Sequence, residues 1–227
     1  NSIDAGADEI VITVKSGGKG LIQIIDNGSG MTHDDAVLCF ERHATSKIST
    51  WEDLQKVSSF GFRGEALASV SSVSDIELKT KIKNDEIGTV VKIHGGKISE
   101  VNQESSLQGT AISVKNLFYN VPARGNFLKA DSTEFRHIAG IMKKFAMAYP
   151  QIEFTLIHEE EKIFQLRKSD LSSRIEKIIG KEIMSYLLPL DTNQFGARIH
   201  GYISKPSFSY KTRGEQFLFL NGRPIYN

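Results

Sequence analysis

The chain has 227 residues, 40% of them hydrophobic, with 28 Lys and Arg against 27 Asp and Glu and a formal net charge of +1. That suffices for one large domain, or one domain and part of another, and the near-neutral balance excludes a uniformly basic nucleic-acid binder, so any basic surface is local. A single cysteine, Cys39, excludes a disulfide framework and a cysteine-rich zinc site, and no apolar run approaches the length of a membrane-spanning helix.

Asn1 to Ala7 reads as the end of a helix that closes at Gly6, and because the chain opens on Asn inside this pattern it reads as a fragment. Glu9 to Lys15 alternates as a strand does, and Ser16-Gly17-Gly18-Lys19-Gly20 turns it into a second, β-branched strand over Leu21 to Ile25. That strand delivers Asp26 at its end, followed by Asn27-Gly28-Ser29-Gly30. A carboxylate on a strand end is a fixed acceptor for an exocyclic amine, and two glycines let backbone approach a flat ligand closely. The hexapeptide alone fits an ordinary Asp-Asn-Gly turn equally well. Thr32 to Asp35 then reads as a helix start with acidic residues in its first turn, and Ala36 to Phe40 supplies the buried face of a core helix.

Arg42 to Ile48 is a polar, hydroxyl-rich turn with one lysine, Lys47, and by itself fits any solvated loop. Phe60-Gly61-Phe62-Arg63-Gly64-Glu65-Ala66-Leu67 runs from glycine-flanked loop straight into helix formers, so free backbone N–H groups at its start are available to phosphate oxygens. It is not a P-loop, since neither Gly18-Lys19-Gly20 nor Gly96-Lys97-Ile98 carries a hydroxyl residue after its lysine. Gly109 to Val114 is a strand by periodicity, and Thr110 within it is on that evidence an ordinary strand threonine. Ser132 to Ala148 carries Phe135, Ile138, Ile141, Met142 and Phe145 at helical spacing and predicts a long helix packed on the core, opened by Ser-Thr-Glu and closed by Tyr149-Pro150. Residues 152–157 and 162–166 predict a hairpin around the solvated turn Glu159-Glu160-Glu161 that completes the first sheet. Ser169 to Ser173 is linker-like, Arg174 to Ile179 opens a helix of a second unit, and residues 197–204 and 216–220 read as its strands. The six histidines are scattered without a His-Glu-x-x-His pair and read as surface or structural residues.

Asn1-Ser-Ile-Asp-Ala-Gly-Ala7, Asp26-Asn-Gly-Ser-Gly30, Ala44-Thr-Ser-Lys-Ile48, Gly61-Phe-Arg-Gly-Glu-Ala-Leu67, Gly109-Thr110, Leu117-Phe-Tyr-Asn-Val-Pro-Ala-Arg124 and Phe219-Leu-Asn-Gly-Arg-Pro224 together resemble, in order and spacing, the amino-terminal ATPase region of the MutL family of DNA mismatch-repair proteins. The resemblance runs over essentially the whole chain. It implies an α+β fold, a two-layer α/β sandwich of the Bergerat ATPase type over residues 1–168, followed over 169–227 by a truncated ribosomal-protein-like α/β transducer domain. It implies ATP and Mg2+ as cofactors, with Asn1 as the metal ligand, Asp26 on the adenine amine with Gly28 and Gly30 beside it, and Thr110 supporting the adenine end. Thr45, Ser46 and Lys47 then line the nucleotide, and Arg63, Gly64, Glu65, Ala66 and Leu67 form a lid whose amides meet phosphate.

No catalytic residue is implied within the chain, because the family's general base is a glutamate one helical turn before the asparagine, a position upstream of residue 1. A phosphate-contacting lysine of the second domain likewise falls after Asn227, and Gly125-Asn126 stands where the family usually continues with basic residues. The implied function is an ATP-hydrolysing matchmaker that dimerises through its amino-terminal domains, with itself or a paralogue, clamps DNA without sequence preference, and signals to a mismatch-recognition protein of the MutS type. Arg223, with Lys205, Lys211 and Arg213, is the expected DNA contact. The expected location is cytoplasmic in a bacterium and nuclear in a eukaryote, with no membrane partner. Two alternatives stand beside it: a nucleotide- and partner-binding module that does not hydrolyse, and a topoisomerase-type or chaperone ATPase, which Phe62 to Leu67 disfavours.

Overall fold

A computed structural model describes residues 1–41, 65–194, 196–208 and 216–225. Strands β1 (Glu9–Lys15), β2 (Leu21–Asp26), β3 (Asp75–Lys81), β4 (Gly88–His94), β5 (Lys97–Glu104), β6 (Gly109–Lys115), β7 (Glu153–His158) and β8 (Glu161–Leu166) form one sheet in the order β5-β4-β3-β6-β2-β1-β7-β8. Neighbours are antiparallel except β1 and β7, so the sheet is mixed. The expected strands β1, β2, β6, β7 and β8 form; β3, β4 and β5 lie where no element was assigned from sequence, and Ile76, Leu78, Val91 and Ile93 on them are core.

The register stacks side chains in lateral rows on one face, because residues directly paired across strands point the same way. One row runs Leu156, Ile12, Ile24, Ile112, Leu78, Val91, and the next His158, Val14, Ile22, Val114, Ile76, Ile93. These rows are covered by helices: α1 (His33–Leu38) and α2 (Ala66–Ser71) pack through Ala36, Leu67 and Val70 near β3 and β4, and α4 (Asp131–Ala148) packs through Met142 and Ala146 near β1 and β7. Helix α3 (Pro122–Gly125) is a single turn between β6 and α4. The opposite face carries ion pairs such as Lys115 to Glu77 at 3.0 Å and Lys79 to Glu104 at 3.0 Å, worth little singly because they stand in solvent.

Thr32 caps α1 by accepting from the Asp35 backbone N–H at 3.2 Å, as the sequence predicts. Helix α4 departs from expectation at two points. Its N-cap is Ala130 without a side-chain cap, and Glu134 instead accepts from the Lys129 backbone N–H at 2.8 Å; Ile141, expected in the core, is half exposed because it lies off the stripe formed by Ile138, Met142 and Phe145. The Glu159-Glu160 turn has positive φ at both residues and is pinned to the β1 end, Glu160 by Lys15 at 3.0 Å and Glu159 by the Ser16 backbone N–H at 2.5 Å. It is therefore a contact rather than a purely solvated tip.

Residues 169–173 are not a linker. Helix α5 (Leu171–Ile179) begins inside them, capped by Asp170 accepting from the Ser173 backbone N–H at 2.9 Å. Three residues on, the fully buried Arg174 donates to the carbonyls of Ala146 (3.0 Å), Pro150 (2.8 Å), Ile152 (2.9 Å) and Arg167 (2.9 Å). Ile175 and Ile178 pack beside it toward the same core. Helix α6 (Lys181–Met184) leads to the two-stranded β9 (Leu187–Gln194) and β10 (Ala197–Ser204), and β11 (Phe219–Leu220) pairs with β12 (Arg223–Pro224) against the end of α4.

Candidate nucleotide site

The third lateral row breaks the apolar pattern. It runs Phe154, Ile10, Asp26, Thr110, Thr80, Thr89, so four polar side chains stand in line across β2, β6, β3 and β4 on the helix-facing side. Burying such groups is tolerated only when they are hydrogen-bonded. Asp26, 8% exposed, accepts from the Gly28 backbone N–H at 3.0 Å through Oδ1. Thr80, 1% exposed, donates to the Gly109 carbonyl at 3.0 Å, accepts from the Met31 backbone N–H at 2.9 Å, and lies 3.0 Å from Thr110 Oγ1. Thr89 Oγ1 lies 3.4 Å from His33 Nδ1 at the start of α1.

The loop after Asp26 is held on both sides. Gly30 has φ of +72°, and a Cβ there would collide with the Lys81 carbonyl; at Gly28 a Cβ would come within 2.9 Å of Ala5. These glycines therefore serve close approach of the loop to its own protein, to the Asn1–Ala7 turn and to the end of β3. Ser29 donates its backbone N–H to the Ala5 carbonyl at 2.9 Å, and Gln108 donates from Nε2 to the Gly28 carbonyl at 3.2 Å. The Asn1–Ala7 turn itself ends as a helix does, with the Ala7 N–H on the Ser2 carbonyl (3.1 Å) and the Gly6 N–H on the Ile3 carbonyl (3.0 Å), while Gly6 has φ of +71°. Asn1 is exposed at its start. Asn27 turns away from the row: its Oδ1 accepts from the Asp8 and Glu9 backbone N–H groups, each at 3.0 Å. The hydrogen bond from Lys168 and then that from Asn27 hold the Asp8 carboxyl below its ordinary range.

Asp26, Gly28, Gly30 and Thr110 are thus brought together, with the Asn1 turn packed against them. Glu65 is the exposed N-cap of α2 without a side-chain cap, Ala66 is exposed, and Leu67 turns its side chain into the α1–β3–β4 core. Thr45, Ser46, Lys47, Arg63 and Gly64 lie outside the described residues. Thr80 and Gln108 were missed from the sequence. The signal for Thr80 was present, since Ile76, Leu78 and Thr80 alternate on one face and only the third is polar. Cys39 is no nucleophile: burial, with the Asp35 charge, pushes its thiol up to about 12. Among the described residues no helix is long and apolar enough to cross a membrane, and no group of three or more His, Cys, Asp or Glu is placed to hold a metal ion.

Residues 1–123 match the family described as histidine kinase-, DNA gyrase B- and HSP90-like ATPase, and residues 175–227 match the DNA mismatch repair protein, C-terminal domain, family. The chain is 47% identical over 223 residues to the DNA mismatch repair protein MutL of Chloroherpeton thalassium, covering 98% of this chain and 35% of that protein. The chain belongs to the MutL branch of this ATPase family. MutL of Chlorobium phaeobacteroides is also 47% identical, over 228 residues, with 100% of this chain and 36% of that protein covered. The chain therefore spans about a third of the length of the curated relatives it matches. Among solved structures, the Aquifex aeolicus MutL ATPase domain complexed with ADP aligns with a TM-score of 0.75 and 29% identity, covering 100% of this chain and 79% of that one. The N-terminal domain of a DNA repair protein aligns at 0.82 and 27%, covering 100% and 72%. The α+β fold with its mixed sheet is that of these ATPase domains.

Proposed function

We propose that this chain is the nucleotide-binding part of an ATP-driven mismatch-repair matchmaker, and that Asp26, Gly28, Gly30 and Thr110 hold the adenine end of ATP. The observation that carries this reading is the buried Asp26 carboxylate, held in place by the Gly28 amide in a row of hydroxyls on an otherwise apolar sheet face. A carboxylate that only accepts suits an exocyclic amine. The relative crystallised with ADP supports it. Asn1 offers one hard amide oxygen to Mg2+, with phosphate oxygens and water as the remaining ligands, and the bound ion would neutralise phosphate charge. The lid residues, Thr45 to Lys47 and Arg63 to Leu67, belong to the phosphate side of the same reading, and Glu65 serves that loop rather than the chemistry. Residues 1–168 form the nucleotide unit and residues 169–227 begin a ribosomal-protein-like transducer. Lid closure on ATP then drives dimerisation with a second copy or a paralogue, DNA clamping, and signalling to a MutS-type protein. With Asp26 on adenine and Glu65 in the lid, none of the residues placed on the nucleotide takes the role of base.

Asp26→Asn tests the assignment. It keeps the shape while replacing an acceptor-only group, and loss of a charge-assisted hydrogen bond of about 1.5 to 3 kcal/mol weakens ATP binding roughly tenfold or more. Calorimetric titration with a non-hydrolysable ATP analogue reads it; equal affinity of the two proteins defeats the adenine assignment.

DNA contact through Arg223 is a separate part of the proposal. Arg223 is half-buried beside Tyr149, whose hydroxyl pKa is raised by burial and the Asp4 charge against the opposing Arg223 charge, and Lys205 donates to the Ser185 carbonyl at 3.1 Å. Lys211 and Arg213 lie outside the described residues. Reversing one phosphate-facing charge with Arg223→Glu is expected to weaken non-specific DNA binding several-fold at low salt and to flatten its salt dependence. Unchanged retention of DNA on filters removes Arg223 from the contact surface.

A further inference from the structure

We propose that Thr80, buried beside Thr110 on the neighbouring strand, fixes the direction of the Thr110 hydroxyl and so sets the pocket's preference for a 6-amino over a 6-oxo purine. The inference rests on the adenine reading above and deepens it.

A threonine hydroxyl has one proton and two lone pairs. Thr80 Oγ1 has three neighbours at hydrogen-bonding distance: the Met31 backbone N–H at 2.9 Å, the Gly109 carbonyl at 3.0 Å and Thr110 Oγ1 at 3.0 Å. The Met31 amide can only donate, so it takes one lone pair. The Gly109 carbonyl can only accept, so it takes the proton. One lone pair of Thr80 remains, and Thr110 fills it by donating. Any other arrangement leaves the Gly109 carbonyl without this donor at a buried position, which is costly. The Thr110 proton is thereby committed inward, and toward Asp26, its lateral neighbour, Thr110 presents lone pairs only.

Asp26 presents lone pairs as well, one oxygen being already engaged by the Gly28 amide. The two side chains therefore form an acceptor-only edge. A 6-aminopurine meets that edge directly with a two-proton amine. A 6-oxopurine brings a carbonyl oxygen at the same position and faces oxygen lone pairs. Were the Thr110 proton free to turn outward, that oxygen would gain a donor. Thr80 makes no contact with the ligand in this scheme and acts through Thr110 as a positioning residue. Its hydroxyl also ties the Gly28–Met31 loop to β3 and β6, so the same atom that polarises the pocket fixes the distance between its walls.

The test is the ratio of dissociation constants for inosine triphosphate and ATP, measured by calorimetry on the 227-residue chain. Thr80→Val removes the hydroxyl at nearly constant volume and is expected to lower the ratio roughly three- to tenfold, mainly by improving inosine triphosphate binding, whereas Thr80→Ser keeps the unaltered ratio. A purely structural role for Thr80 weakens both nucleotides together and leaves the ratio in place, which overturns the proposal. Thr110→Val keeps the Met31 and Gly109 bonds of Thr80 and carries the test if Thr80→Val does not fold; it too is expected to lower the ratio, and an unchanged ratio overturns the proposal. Asp26→Asn measured alongside separates the two levels. If it leaves ATP binding unchanged, or the unaltered chain binds no ATP, the adenine reading falls and this inference with it; if it weakens ATP while the threonine variants keep the ratio, only this inference falls.

Discussion

Replacing Arg174 with alanine is expected to destabilise the chain by about 3 to 5 kcal/mol, because several buried carbonyls lose a charged donor and the stem's packing is lost. The guanidinium is fully buried and gathers four carbonyls within 3.0 Å, from the last turn of α4, the Pro150 turn, the start of β7 and the end of β8. Among the described residues no carboxylate hydrogen-bonds to it; burial pulls its pKa down, and the field of Glu153 opposes that only in part. Carbonyl dipoles stand in for a counter-ion, including those at the C-terminal end of α4, where the helix dipole favours a cation. The planar fork matters, since a lysine ammonium cannot reach four acceptors spread over three elements. Truncation takes the donor from those carbonyls, of which Pro150's keeps the Ser169 N–H at 3.0 Å, at about 1 to 3 kcal/mol for each one left unsatisfied, partly relieved by water entry, and loses the stem's packing. Arg174→Met keeps the stem and isolates the polar share; Arg174→Lys is expected to recover only part of it. Urea unfolding read by circular dichroism measures all three, and a change under about 1 kcal/mol for Arg174→Ala contradicts the keystone role.

On the proposed reading these 227 residues by themselves are expected to release phosphate from ATP no faster than buffer, and the same residues extended by what the family resemblance implies, a glutamate one helical turn before Asn1 and further second-domain sequence, to turn over slowly with Mg2+. Hydrolysis needs a base within about 3 Å of the attacking water, and such a group contributes roughly 10²- to 10⁴-fold. In the proposed site the described side chains are an amide at Asn1, the adenine-side Asp26 and hydroxyls. Glu65 is the tempting substitute, but it is the exposed N-cap residue of α2, and a carboxylate set against the γ-phosphate is electrostatically unfavourable. Changing the restored glutamate to alanine should abolish turnover and keep nucleotide binding. Phosphate release from both chains under excess ATP and Mg2+ decides it, and equal rates place the base within residues 1 to 227.

The two expectations draw on different kinds of information. The hydrolysis argument was available in the one-dimensional string, because motifs such as Asp26 to Gly30 and Gly61 to Leu67 are local and their order identifies the family. Strands β1, β2, β6, β7 and β8 were legible for the same reason: alternation over six or seven residues is a local pattern with a physical cause in the pleat. So was the long helix α4, apart from Ile141 and the cap.

Beyond the pairs β1-β2 and β7-β8, joined by short turns, the sequence could not supply which strand lies beside which. Thr80 is 30 residues from Thr110 and 54 from Asp26, and they meet because β3, β6 and β2 are adjacent in an order that runs β5-β4-β3-β6-β2-β1-β7-β8. A shift of one residue in any of those registers would turn the row to the other face and abolish the acceptor edge. Arg174 was hidden differently: on the string it is a cation at the start of an amphipathic helix, where the ordinary expectation is solvent. Only the tertiary structure brings four carbonyl ends to one point and makes burial of that charge affordable. The sequence by itself determined the family and most of the strands and named the candidates proposed for nucleotide; the strand order and register decided which side chains share a face, and with that where a proton or a buried charge can sit.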